Sequence, residues 1–406
     1  MADIQRSTTR VRGFTDAEMD FQLIRQMGSS AFGAASVGAC LSTAGRIQDG
    51  DPSSWVDAFT DLAAWQEQDA RERAAKGHFV SARAQFFHAC NSYRAAEYYT
   101  GCRDTRHREL GLKSRACFAE AMNHVWHTFE ATMLRYKAVT LPVYFMAPNP
   151  RAERRKTLII VSGFDGTLEE EYFMRGCPAL ERGYNIVHLA GPGQMDVFRF
   201  HPDTHFEPDY ENPLKTVIDF LAERSEVDMG RLAILGISFG GYFATRATAH
   251  EPRVKALIAN SPIVNLRDYM VAFIGSDPAE APEAENFRLE DLPAIPEEFL
   301  SRQLKTMCEN LMVRFGQLSL RETFLYLREF TVGEAVSQIT CPSLALVGTG
   351  EGGEPEKQHK EFCAKVSGPV ASHTFTAFEG ADTHGQVGNP SFAAVVTLDW
   401  LDELFD

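Results

Sequence analysis

The sequence predicts an α/β protein: a doubly wound, mostly parallel sheet, preceded by an all-helical N-terminal domain and interrupted by a helical lid insertion. Three observations predict it. Residues 15–135 place apolar side chains at helical spacing and show few strand signals. From residue 139 short apolar runs alternate with turns and helices, the pattern of strands wound with helices around one sheet. Between the fifth and sixth major runs lies a long insertion, residues 261–340. The expected domains are therefore 1–138, helical, and 139–406, carrying the sheet.

Within the first domain, residues 51–75 open on Asp51-Pro52-Ser53-Ser54, an N-cap start, and carry Trp55, Phe59, Leu62 and Trp65 as one apolar stripe. Gly77 breaks the chain, and residues 79–99 resume with Phe86, Phe87, Cys90 and Tyr93 near one helical face. A third helix is expected over 110–136, through Phe118, Met122, Val125, Trp126 and Phe129. These read as antiparallel helical hairpins.

Strands are expected at 141–146, 157–161, 184–189, 232–235, 256–259, 343–347 and 372–377, most too short and continuous to be helices. The insertion is Pro- and acid-rich near 276–298 and helical over 296–328. In a doubly wound sheet it emerges at the carboxyl ends of the strands, where ligands bind, which makes it a candidate lid. Its Phe273, Met312, Phe315 and Tyr326 read either as pocket lining or as plain helix core.

Composition narrows the classes of function. The 406 residues hold 40 Lys and Arg against 55 Asp and Glu, so 40 − 55 gives a net charge of −15. An acidic chain argues against a nucleic-acid or anionic-membrane surface, which needs clustered cations. No apolar run approaches the ~18 residues of a membrane span, and the first residues lack the apolar core of a secretion signal. A cytoplasmic protein is expected. The eight cysteines are scattered with no C-x-x-C pair, so neither a zinc site nor a disulfide framework is expected and the thiols read as reduced and mostly buried.

Chemistry concentrates in three loops. Residues 231–242 run from an apolar strand through Gly236-Ile237-Ser238-Phe239-Gly240 into a helix, the context in which a serine sits exposed on a strained strand-to-helix turn. Ser238 is the candidate nucleophile. A serine hydroxyl needs a base, itself oriented by a carboxylate, and in this architecture acid and histidine follow the serine in that order. After the sixth strand comes Gly348-Thr349-Gly350-Glu351-Gly352-Gly353-Glu354. Glu351 is the candidate acid and Glu354 its competitor. After the last strand comes Gly380-Ala381-Asp382-Thr383-His384-Gly385, just before an amphipathic C-terminal helix, which makes His384 the candidate base.

An oxyanion formed at the attacked carbon needs preorganised donors. The backbone N–H of Phe239, the residue after the serine, is one. The second is expected from Ser162-Gly163-Phe164-Asp165-Gly166, after the strand at 157–161, at the N–H of Phe164. A phosphate-cradling reading of that loop fails for want of a Walker lysine. Gly191-Pro192-Gly193-Gln194 reads as a turn, and the Gly348-x-Gly350-x-x-Gly353 match to a dinucleotide fingerprint follows the wrong strand. No cofactor and no metal are expected.

Taken together these motifs resemble the α/β-hydrolase superfamily. More narrowly they resemble the branch with a helical N-terminal domain that contains 2,6-dihydroxypseudooxynicotine hydrolase and the fungal yellowish-green-type polyketide-shortening hydrolases. The narrower marks are Gly163-Phe-Asp-Gly-Thr-Leu-Glu-Glu170, Gly191-Pro-Gly-Gln194 and the region from Trp65 through Tyr93-Arg94-Ala95-Ala96-Glu97. That branch usually supplies aspartate as the triad acid, where this loop offers Glu351 or Glu354. The resemblance implies a serine-dependent hydrolase that cleaves a C–C bond next to a ketone in an aromatic or polyketide-like small molecule. It also implies a homodimer with the helices and lid over the site. An ester or thioester hydrolase, or an acyltransferase, would use the same residues, and a cyclase-type or binding protein on this scaffold is the remaining alternative.

Overall fold

A computed structural model of the chain describes residues 13–151, 153–281 and 287–406. Residues 1–12, where a secretion signal was weighed, and 282–286, within the Pro- and acid-rich stretch, lie outside the described residues. The chain packs as two compact units, one of residues 13–126 with 287–323, the other of residues 127–280 with 324–406.

The first unit is built on α1 (Ala17–Gly28), α2 (Val37–Ala44), α3 (Pro52–Ala75), α4 (Phe79–Tyr98) and α5 (Thr105–Met122). Aspartates start three of them: Asp16, Asp51 and Asp104 each accept a backbone N–H from the first turn, and Pro52 follows Asp51 where no donor is needed. The buried face of α3 runs through Trp55, Phe59, Ala63, Gln66 and Ala70. Trp65, expected on that stripe, is 59% exposed. Gln66 takes an inner position because its Oε1 accepts the Ser92 hydroxyl of α4 at 2.8 Å.

The helix Arg302–Phe315, expected as part of a lid over the sheet domain, packs within this helical unit. Its Asn310 Oδ1 accepts the Cys102 N–H at 2.9 Å and its Glu309 Oε1 the Arg103 N–H at 3.2 Å. Met312 and Phe315 are buried there as helix core.

The second unit holds an eight-stranded sheet: β1 (Glu130–Tyr136), β2 (Val139–Met146), β3 (Arg155–Val161), β4 (Asn185–Leu189), β5 (Val227–Ile237), β6 (Ala256–Asn260), β7 (Ser343–Gly348) and β8 (Val370–Phe375). Their order is β1-β2-β4-β3-β5-β6-β7-β8. The first two join antiparallel, and every pair from β4 to β8 is parallel. The central strands are buried on both faces, which is why they read as continuous apolar runs.

One expected helix is shorter than its periodicity suggests. α5 ends at Met122, and the continuation to 136 is instead β1, hairpinned to β2 through Lys137, whose φ is 49°. The boundary expected at 138 accordingly falls at 126. Val125, Trp126 and Phe129 lie in the irregular segment between α5 and β1, so their apolar spacing simulates a helical stripe without belonging to one. All eight cysteines are free, and burial pushes the thiols of Cys40, Cys102 and Cys117 up to about 12.

Candidate active site

The carboxyl ends of β3, β5, β7 and β8 each lead into one of the loops singled out in the sequence. After β5 the chain turns at Ser238, which adopts φ 60° and ψ −128° and starts the helix Phe239–His250. A non-glycine residue in the left-handed region is strained, and tight packing on both sides holds it there. A Cβ on Gly236 would stand 2.6 Å from Ala244 Cβ, and one on Gly240 would stand 2.9 Å from the Ser162 carbonyl oxygen. The Ser238 N–H is tied to the Asn260 carbonyl of β6 at 2.7 Å.

The loop after β3 lies directly against this turn. A Cβ on Gly163 would come within 2.7 Å of Ser238 Cβ and 3.0 Å of the Phe239 nitrogen, so only glycine lets the two backbones approach so closely. The Gly163–Phe164 peptide therefore runs beside the Ser238–Phe239 peptide, and the Phe164 and Phe239 rings meet edge to face at 5.3 Å. Gln194 anchors the loop. Its amide Nε2 donates to the Ser162 carbonyl at 2.6 Å, while its Oε1 accepts the Gly191 N–H at 2.5 Å and the Tyr210 hydroxyl at 2.6 Å. The segment Gly191-Pro-Gly-Gln194, read from sequence as a turn, is thus also a buried brace for the loop bearing Phe164.

Glu351 and His384 meet across the ends of β7 and β8. His384 Nδ1 lies 2.7 Å from Glu351 Oε2. A carboxylate oxygen only accepts, so Nδ1 carries the proton of this contact and Nε2 is the nitrogen turned away from the acid. Glu351 has no solvent exposure, while the His384 side chain keeps 14%. The buried carboxylate is fully supplied with donors: the Gly348 N–H on Oε1 at 2.7 Å, and the Ser261 hydroxyl with the imidazole on Oε2, the hydroxyl also at 2.7 Å. The Tyr269 hydroxyl stands 3.5 Å from Nδ1. Glu354 takes a different place, in the first turn of the helix Gly353–Lys365, where it pairs with Lys357 at 2.9 Å and accepts from Gln358.

The acid and histidine loops are also joined through their backbones, the Gly350 N–H reaching the Asp382 carbonyl at 3.0 Å. A Cβ on Gly385 would lie 3.5 Å from Ile237 Cγ2, which sets the His384–Gly385 turn against the residue preceding the serine. No hydrogen bond joins Ser238 Oγ to His384 among the described residues; catalytic hydrogen bonds of this kind tighten as the reactive complex forms. Ser261 and Gln194 are the participants that sequence reasoning missed. Nothing local marks Ser261, which acts on a residue ninety positions away. Among the described residues no three His, Cys, Asp or Glu side chains gather as a metal site, and no helix is long and apolar enough to cross a membrane.

A mostly parallel sheet with a strained serine after β5, an acid after β7 and a histidine after β8 has the arrangement of the α/β-hydrolase fold. Residues 209–290, which include the serine turn, match the prolyl oligopeptidase family. The chain is 35% identical over 257 residues to 20-hydroxy-prefusarin hydrolase FUS2 of Gibberella moniliformis, a match covering 61% of each chain. It is 28% identical over 412 residues to hydrolase ORFZ of Pyricularia oryzae, covering 95% of this chain and 96% of that one. The matches at 30% identity or more span about three fifths of the relatives' own length. Among solved structures, that of 2,6-dihydroxy-pseudo-oxynicotine hydrolase shares the fold with a TM-score of 0.70 at 21% identity, over 92% of this chain and 94% of that one. The chain thus shares the α/β-hydrolase fold.

Proposed function

We propose that this enzyme is a serine-dependent hydrolase that cleaves a C–C bond adjacent to a ketone, or an acyl bond, in an aromatic or polyketide-like small molecule. The observation that carries the reading is the 2.7 Å pairing of His384 Nδ1 with Glu351 Oε2, beside the strained turn that presents Ser238. In this mechanism Ser238 Oγ attacks the carbonyl carbon and passes its proton to His384 Nε2. Glu351 holds the imidazolium that forms. The backbone N–H groups of Phe164 and Phe239 receive the oxyanion. Collapse of the adduct breaks the C–C bond, its electron pair moving onto the α-carbon, and His384 returns the proton there. Water then hydrolyses the acyl-serine, leaving a carboxylic acid and a shortened ketone.

The departing carbanion needs an electron sink, so the substrate carries a β-keto or phenol group. Phe164, the partly exposed ring of a cluster with Phe206 and Phe239 whose centroids lie 5.3 to 6.1 Å apart, stands beside the serine turn and suits an unsaturated or aromatic chain. The names of the relatives, a prefusarin hydrolase and a pseudo-oxynicotine hydrolase, agree with a small organic substrate. A homodimer and a cytoplasmic site of action belong to the same proposal. Ser238→Ala is the direct test, scored on a β-diketone, an aryl ester and an acyl thioester side by side. Turnover of the preferred class should fall by about a thousandfold or more with the fold intact. Undiminished turnover would remove Ser238 from the reaction, and a preference for the ester or thioester would redirect the bond type.

A further inference from the structure

We propose that Arg175 is a positioning residue for His384, holding the backbone of the histidine loop from beneath; the inference rests on His384 being the base. Arg175 lies on a single π-helical turn, Tyr172–Gly176, and such wide turns place a side chain where a regular helix could not. Its side chain is only 1% exposed. Nη1 donates to the Met174 carbonyl at 2.8 Å, and Nη2 reaches across to the Gly385 carbonyl at 3.0 Å and toward Gln386 Oε1 at 3.5 Å.

What Arg175 grips is a second strained part of the site. Gly385 and Gln386 both take left-handed φ, 62° and 52°. For Gln386 that conformation is unfavourable and must be fixed from outside. A second buried donor shares the work: Asn260 Nδ2 donates to Gln386 Oε1 at 2.6 Å, while the Asn260 carbonyl accepts the Ser238 N–H at 2.7 Å. One continuous set of contacts thus runs from the guanidinium through residues 385 and 386 to the serine turn.

A stability role explains this arrangement poorly. Burial pulls the guanidinium down to about 10, opposed only by the nearby Glu171 carboxylate. A buried guanidinium is costly to desolvate, and its attraction to a single neighbouring carboxylate seldom repays that cost. What the cation adds is a rigid two-pronged donor of fixed direction.

Arg175→Met and Arg175→Lys test the assignment by two readouts. One is the rate at which a fluorophosphonate reporter labels Ser238. The other is the downfield proton resonance of the His384 Nδ1–H bonded to Glu351. In Arg175→Met labelling should slow by about 10- to 100-fold, since a misplacement near 1 Å costs that order of rate. The Nδ1–H resonance should shift or broaden, and Arg175→Lys should recover part of both. Labelling within about twofold of the parent, with an unmoved resonance, overturns the proposal. If Arg175→Met does not accumulate folded, Arg175→Lys carries the same readouts. Failure of the parent to be labelled at Ser238 would instead refute the hydrolase reading, and the resonance would still decide the role of Arg175.

Discussion

Glu351 is met in the protein interior by donors from three separate places in the chain. Oε1 takes the N–H of Gly348, and Oε2 is shared by the Ser261 hydroxyl and the imidazole of His384. Sharing one oxygen fixes the plane of the carboxylate and so the direction of the Nδ1 bond. Ser261→Ala leaves the imidazole bond intact but frees that plane. Loss of one hydrogen bond to a charged group is worth about 1.5 kcal/mol, or roughly tenfold. We expect kcat/KM to fall by that order in Ser261→Ala with the thermal midpoint little changed. Steady-state kinetics indistinguishable from the parent would show that Gly348 and His384 suffice to orient Glu351.

Whole helices are governed by which face they bury, and α3 shows how that face is chosen. Trp55 is 1% exposed, with its indole N–H on the Ala95 carbonyl at 2.8 Å and its ring among those of Phe14, Phe59 and Tyr99. Trp65, ten residues on, faces water. Trp55→Ala should therefore destabilise the protein by about 3–5 kcal/mol, the cost of deleting a buried aromatic. Trp65→Ala should stay within about 0.5 kcal/mol of the parent. Urea unfolding of the two variants checks the pair, and equal losses would mean that the stripe through Trp65 was correct after all. The end of α5 teaches a related point. Hydrophobic periodicity alone could not tell the last turns of a helix from the irregular link and edge strand that follow Met122, because the pairing of Glu130–Tyr136 with β2 is decided from outside the segment.

Across the molecule, several histidines are folded in as neutral groups. Burial lowers the pKa of His188, on β4, to about 3, and also lowers those of His88 and His359. Above about pH 6.5 these rings are neutral both folded and unfolded and contribute no pH dependence. As the pH falls below that value the unfolded chain takes up protons that the folded one refuses, so stability falls with acidification. The carboxylates held low by cations, such as Glu251 beside Arg253 and Asp219 beside Lys215, titrate at lower pH and leave the interval from pH 6.5 to 5 to the histidines. His188 alone should contribute a slope of about 1.4 kcal/mol per pH unit there. His188→Leu should flatten that limb in urea denaturation at pH 7, 6 and 5, and parallel losses in parent and variant would refute the role.

The placements set by neighbours along the chain were readable in advance. Ser238 stands between Gly236 and Gly240 on a strand-to-helix turn, and the steric demand for those glycines is local. Gly163 and Phe164 follow their strand for the same reason, and the parallel sheet followed from continuous apolar runs. Glu351 was preferred over Glu354 for its place three residues past Gly348, but the contacts that separate the two glutamates arise only on folding. Folding turns one toward His384 and places the other in a helical turn beside Lys357. Nor could the chain announce the contacts of Gln194 with Ser162, Ser261 with Glu351 or Arg175 with Gly385, which span 32, 90 and 210 positions. Patterning along a chain records which face of each segment avoids water, whereas a buried polar contact is settled only when separate segments are brought together and each donor must find an acceptor.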